Sequence, residues 1–506
     1  MNTGGWTGQT ACALQVALRL SNERFAEHLG IGVRTVAAWH QKPSLRPKSE
    51  MQQLLDTALE RASDAERARF SELTSAQPAA DPRLTEDPNI VAALEWLDRH
   101  ARWAPGTSRQ RVAERAATID PQSLRDRGTR RGWVSQRDVA RTLADYYGTA
   151  SLFTARCGDQ LVNTSILTST DWLDLDCPLV PQHDRLTVAS ALPEADLQLD
   201  EHAADVAVQR LAETLSMNTR MVNSPLYRLL DIKPAAQQLG GSLGVTHFVH
   251  YALTVDLLEG ELVDAIATGG SSPMPLRERY LPDVATVLDL GNRLCSGGVL
   301  ALTAIARPAD PFRGEADYLL LVQERSGSVL NAARRLAVIP KGFHQPLNDV
   351  RRDAQVGATL RREMEEELFG RPDIDNTLGQ QLSADPMHPS RYSEPMRWLV
   401  EQPGRLRMEC TGFGLNLVSG NYEFASLIVI DDEEFWTRYG GVVEANWESE
   451  SLRQYSTADT DLVTELLTDA AWSNEGLFAM ILGLRRLAQL GGERVRMPPI
   501  EWEISQ

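Results

Sequence analysis

At 506 residues the chain has length for two to four domains, each with a sizeable buried core. Its 42% hydrophobic and 24% charged composition is ordinary for a soluble globular protein, and no apolar run approaches the ~18 residues a bilayer crossing takes, so no membrane partner is expected. The net charge of −18 needs no special partner, and five scattered cysteines without paired spacing exclude a disulfide framework or a zinc site and predict a reducing, cytoplasmic setting.

The N-terminus lacks a basic segment followed by an apolar core, so no secretory signal is expected. Between Leu20 and Pro47 the spacing predicts two short helices. Ser21 or Asn22 caps the first, with Phe25, Ala26 and Leu29 inward; Gly30 supplies the turn; the second runs from about Gly32 to His40 with Val33, Val36 and Trp39 on one face. Arg19 to Lys48 holds six basic residues against Glu23 and Glu27, a local excess of four positive charges on an acidic chain. The segment resembles the Cro/repressor-type helix-turn-helix family, including the Trp39 anchor and an exit through Pro43 and Pro47. The resemblance implies binding of double-stranded DNA, with the second helix in the major groove. Arg34, Thr35 and Ala38 then lie on its solvent face, Arg34 and Thr35 within reach of base edges, while Gln41, Lys42, Arg46 and Lys48 suit phosphates.

A further helix with Met51, Leu54, Leu55, Ala58 and Leu59 on one face completes this domain or pairs with a second copy; a homodimer is expected. Residues 71–88 are rich in Pro, Ser and acids and read as a linker. Beyond it, helices are expected at Ile90–Arg102, Gln136–Tyr147 and Asp200–Leu215, and a strand at Gly244–Leu257. Ser135–Gly148 has the look of another first helix of a helix-turn-helix, but an extended pattern follows it. His247 and His250, read in a strand, point to opposite faces, which argues against metal ligation.

From Asn292 the pattern becomes strands, at Gly297–Arg307, Ala316–Gly327 and Arg334–Pro340, then a Pro/Gly turn, a loop and a helix at Val356–Gly370. Val356, Leu360, Met364 and Leu368 repeat every four residues and face a core. Glu363, Glu366 and Glu367 crowd an opposing face, where their repulsion favours a hard divalent cation, with Arg362 offsetting part of it. The run Arg362-Glu363-Met364-Glu365-Glu366-Glu367 resembles the signature helix of the Nudix family. That resemblance covers about 292–490, since a strand at Asn421–Ile430 and a long helix from Gly476 also fit. It implies a mixed sheet sandwiched by helices, Mg²⁺ or Mn²⁺ held by Glu363, Glu366 and Glu367, a catalytic role for these with Arg362, and a nucleoside-diphosphate-linked substrate. Two signature positions depart: Asn348 stands for the Gly and Ala354 for a Glu, with Asp353 adjacent and Gly342 placed to take over the turn. Glu448, after Trp447, is a further acid of interest.

The whole reads as an α/β multidomain protein: an all-α helix-turn-helix domain at 1–70, a linker at 71–88, a central α+β region at 89–291 and a Nudix-like α/β/α sandwich at 292–506. The expected function is a transcriptional regulator whose C-terminal domain senses, and at most slowly hydrolyses, a nucleotide metabolite. A Nudix-type hydrolase with an accessory helix-turn-helix is the alternative.

Overall fold

A computed structural model describes residues 6–42, 45–75, 81–149, 151–190, 197–269, 272–325, 335–372, 387–440, 449–497 and 499–504. It divides into two compact units, Met1–Glu86 with Ala117–Gln122, and Asp87–Ala116 with Ser123–Gln506.

The first unit opens with five helices: α1 (Gly8–Ala17), α2 (Asn22–Leu29), α3 (Val33–Gln41), α4 (Ser49–Arg61) and α5 (Asp64–Ser75). Local chemistry sets the boundaries. Ser21 caps α2 by accepting the Arg24 N–H, and Gly30 ends it at φ +69°, a left-handed conformation that costs least without a Cβ. Phe25, Ala26, Leu29, Val36, Trp39 and Leu55 form the core, with Phe25 and Trp39 edge-on at 6.5 Å. Gln15 fastens three helices together: its amide donates to the Leu20 carbonyl and to Asn22 Oδ1, and its Oε1 lies 2.8 Å from His40 Nε2. Two expectations need correction. Val33, at the first position of α3, is 42% exposed, and Leu54 on α4 turns to solvent, so the inward faces narrow to Val36 with Trp39 and to Leu55 with Ala58.

The next helices are α6 (Arg83–Glu86), α7 (Pro88–His100), α8 (Thr107–Thr118), α9 (Pro121–Gly132) and α10 (Gln136–Tyr147). The stretch expected as a linker therefore contains the end of α5, α6 and the start of α7; residues 76–80 lie outside the described ones. The chain then gives β1 (Leu152–Cys157), β2 (Gln160–Leu167), β3 (Leu173–Pro178), β4 (Asp184–Val188), α11 (Glu201–Ser216), β5 (Pro225–Ile232), β6 (Leu239–His247), α12 (Phe248–Ala252), α13 (Leu257–Ala267), α14 (Pro275–Tyr280) and α15 (Val284–Leu288). Where a strand was expected over Gly244–Leu257, β6 stops at His247 and α12 begins, its Val249, Tyr251 and Ala252 buried. Packing overrides the β propensity of that run.

The remainder supplies β7 (Gly297–Arg307), β8 (Asp317–Arg325), β9 (Leu336–Val338), β10 (Lys341–Phe343), α16 (Val356–Glu363), α17 (Glu394–Glu401), β11 (Leu406–Asn416), β12 (Asn421–Ile430), α18 (Glu433–Tyr439), β13 (Ser449–Ser456), α19 (Thr460–Leu467), α20 (Asn474–Leu490) and β14 (Ile500–Ile504). The large sheet runs β13-β8-β7-β12-β11-β2-β1-β14, with β10 on β7, β9 on β8 and β3 on β11; β4-β6-β5 form a small second sheet. It is mixed: β7 and β12 run parallel, Val299 beside Phe424 and Leu300 beside Ala425, while the other neighbours along the path are antiparallel. β1, β2 and β3, from the 89–291 segment, pair into this sheet with β14 and β11.

Nearly every residue of β7 and β12 is buried, so both sheet faces are covered. On one face α20 lays Leu477, Phe478, Ile481 and Leu484 against Leu300, Leu302, Leu320, Ala425 and Leu427. α16 lies along β10 and β7, with Val356, Leu360, Met364 and Leu368 buried as their spacing predicts. The protein is a mixed α/β chain, and among the described residues no helix is long and apolar enough to cross a membrane.

Candidate functional site

In the first unit, the Gly30 corner sets α3 against α2 with Val36 and Trp39 inward, which leaves the opposite side of α3 outward. Arg34 is exposed there, and Thr35 and Ala38 are half-buried. Lys42, Arg46 and Lys48 follow and are all exposed; the Gln41 side chain and Pro43 lie outside the described residues. Arg24, on α2, is held by Glu27 at 3.1 Å in an exposed pair, so it adds less to the positive surface than its charge implies. The sequence did not single out Gln15 or His40, whose bond ties α1 to α3; their separation of 25 residues leaves no local signal.

The carboxylates of the second unit are placed differently from expectation. Glu363, Glu366 and Glu367 were expected on a face opposite the core, yet they are only 8%, 9% and 2% exposed. Two features cause this. After Glu363 the helix widens into a π turn over Met364–Leu368, with the Phe369 N–H reaching back to the Met364 carbonyl, and the second face is covered by β10. Glu363, Glu365 and Glu367 are each held by a neighbouring group. Arg362 donates to Glu363 Oε1 at 2.6 Å and to the Gln345 carbonyl at 3.1 Å. The Lys341 backbone N–H donates to Glu367 Oε2 at 2.7 Å. Glu365 accepts the Ser393 N–H, and burial raises its carboxyl above the ordinary range. Gly342 does not make the expected turn; it sits inside β10, where a Cβ would overlap the Glu363 carboxylate.

A second acidic group, unforeseen from sequence, flanks Lys341. Its ammonium meets Glu475 Oε1 at 2.5 Å, and Asn416 donates to Glu475 Oε2 at 3.1 Å. Burial opposes ionisation of Glu475, but Lys341 and the hydrogen bonds around it hold the carboxyl below its usual range. For Glu423 on β12 the pull of Lys341 is outweighed. Burial, with the Glu475 charge beside it, pushes it up to about 8, so it is mostly protonated near neutrality.

Mg²⁺ takes oxygen ligands in near-octahedral array, several of them commonly water, and needs its carboxylates free and convergent. Here Glu363 is engaged by Arg362 and Glu367 by the Lys341 N–H. Among the described residues no group of three or more His, Cys, Asp or Glu side chains is arranged to hold a metal ion. The carboxylates as placed do not fit the implied ion. Of the two departing signature positions, Ala354 is fully buried and Asn348 donates its N–H to Asp353 Oδ2, which also accepts those of Leu347 and Asp349 and so pins the loop before α16. Glu448 lies outside the described residues.

His247 and His250 do not point apart, because α12 begins between them; their rings are 5.5 Å apart, and His250 stacks near Trp96 at 5.4 Å. Burial, with His247 and His100 nearby, pushes His250 down to about 4. The Ser135–Gly148 stretch is α10, capped by Ser135 with Asp138, and β1 follows it. No family model matches the chain, and no curated protein matches it.

Proposed function

We propose that this chain is a DNA-binding transcriptional regulator, that its first unit uses α2 and α3 as a Cro/repressor-type helix-turn-helix, and that its second unit responds to a nucleotide-type metabolite. The observation that carries the reading is the α2–Gly30–α3 corner with Arg34 exposed on α3 and Lys42, Arg46 and Lys48 exposed just beyond it. On a chain of net charge −18, a polyanion meets attraction there and repulsion over the bulk of the surface. A homodimer on double-stranded DNA is part of the proposal, since one short helix reads few base pairs.

For the second unit, a Nudix-like reading is supported by the order of mixed sheet, buried helix α16 with its Arg362–Glu367 run, and covering helix α20. The partnering of Glu363 and Glu367 weighs against metal-dependent hydrolysis and favours sensing, because those acids would have to leave Arg362 and Lys341 to ligate. Arg34→Ala is expected to weaken a selected operator by about 1–3 kcal/mol, with non-specific DNA hardly affected. Anisotropy titration of operator and scrambled duplexes checks this; equal operator affinity in the variant refutes base reading by Arg34.

A further inference from the structure

A cavity of about 530 Å³ opens on the outer side of α16, away from Glu363 and Glu367, between the loop that precedes the helix and the chain around α17. Its walls carry three guanidinium groups, from Arg352, Arg361 and Arg362. Asp353 also lines it, but that carboxylate already accepts three backbone N–H groups through one oxygen. Three arginines thus face one carboxylate here, with Arg362 already paired to Glu363, in a chain that is acidic overall.

Two buried polar atoms on its wall have no acceptor or donor facing them among the described residues. Thr359 is 1% exposed, and its Oγ1 makes no hydrogen bond. A mid-helix threonine hydroxyl commonly turns to the carbonyl four residues back, but the Thr359 hydroxyl does not bond to Gln355. Arg362, 3% exposed, uses its terminal nitrogens on Gln345, Phe343 and Glu363, while its Nε has no acceptor. Arg361 stands beside them on the wall, where burial pushes its guanidinium below the ordinary range, Tyr392 and Asp184 work against that, and Arg352 adds to it. Buried donors without acceptors are rare in folded proteins and call for a missing partner.

We infer that this cavity binds a small organic phosphate, its phosphoryl oxygens taken by Arg361, Arg352 and Thr359. The inference rests on the reading of the second unit as the ligand-responsive part. Planar guanidinium groups match phosphoryl oxygens in pairs, and a threonine hydroxyl adds a further donor. The volume decides between a bare ion and a larger molecule. Cavities of about 300–1,000 Å³ hold drug-sized ligands, far more than inorganic phosphate fills. The Tyr392 ring, Leu347 and Val400 supply an apolar wall for the organic part.

Isothermal calorimetry on the full chain tests this, with AMP, ribose 5-phosphate, inorganic phosphate, adenosine and citrate as probes. The expected result is saturable binding of AMP or ribose 5-phosphate, at least tenfold weaker binding of inorganic phosphate, and no heat from adenosine. Arg361→Gln is expected to weaken binding tenfold or more and Thr359→Val several-fold. Arg352→Gln, at an exposed position, covers the case in which Arg361→Gln does not fold, and should also lose about tenfold. Absence of binding by both organic phosphates overturns the inference. So does equal binding of inorganic phosphate or citrate, or unchanged affinity in the folded variants. Because these titrations contain no DNA, their failure leaves operator recognition through Arg34 standing, and loss of operator recognition leaves them standing.

Discussion

Glu423 is the residue whose burial has the clearest measurable consequence. Its carboxyl, pushed up to about 8 by burial and by Glu475, holds a proton in the folded chain that the unfolded chain gives up near the ordinary carboxylate value. A group of this kind stabilises at low pH and loses that contribution as pH rises towards its folded value. His344 and His250 act in the opposite sense. Burial pushes them down to about 3 and about 4, so their contribution is lost only as pH falls below 6.5. Between pH 6.5 and 8 the Glu423 effect therefore stands apart, and stability should fall as pH rises. Glu423→Gln, neutral throughout, should flatten that fall in urea titrations at pH 6.5, 7.25 and 8; a slope equal to that of the parent chain would contradict the assignment. At this scale the sequence was partly legible. The four-residue repeat identified Val356, Leu360, Met364 and Leu368 as buried, whereas the burial of Glu363, Glu366 and Glu367 was hidden. Periodicity reports one apolar face and is silent on whether a second face is covered.

Among elements, the tie between α16 and β10 is the one the acids maintain. Glu367 accepts the Lys341 N–H, and Glu363 sits over Gly342, so the carboxylates act as struts between helix end and strand. A charged acceptor typically contributes more than a neutral one, and Glu367→Gln keeps an oxygen but removes the charge. The expected loss is about 1–2 kcal/mol in unfolding free energy, read from the urea midpoint. An unchanged or raised midpoint would show that repulsion among the acids outweighs the tie. Helices with local signals were legible: α10 and α11 follow from spacing, and α2 and α3 from Ser21 and Gly30. The β6–α12 junction was not, since its β-branched and aromatic run suits a strand by itself and becomes helical only where Val249 and Tyr251 are buried.

For the whole molecule, assembly matters more than any single contact. The large sheet joins strands that are far apart in sequence: β2 beside β11, β12 beside β7. No local pattern announces such pairings, which is why the segment at 89–291 looked self-contained in the sequence. In the first unit α2, α3 and α4 were readable from local spacing and turn chemistry, whereas α1, α5 and α6 were not. If two copies read a two-fold operator, protection should appear as two half-sites about 34–36 Å apart, and sedimentation should give a dimer. A single protected half-site with a monomeric chain would contradict the homodimer.

The pairing of β14 with β1, from Phe153 beside Ile504 to Cys157 beside Ile500, has a consequence for how the protein is made. A ribosome adding about 5–20 residues per second needs on the order of 20–70 s to travel from one strand to the other. During that interval β1 presents a row of bare backbone N–H and C=O groups, the kind of edge that recruits stray strands. Helices α1 to α5 have no such wait, since all their partners have already left the ribosome. A nascent chain would thus hold a finished helical head while its sheet still lacks a closing strand, and a chaperone would find its work at the edge of β1.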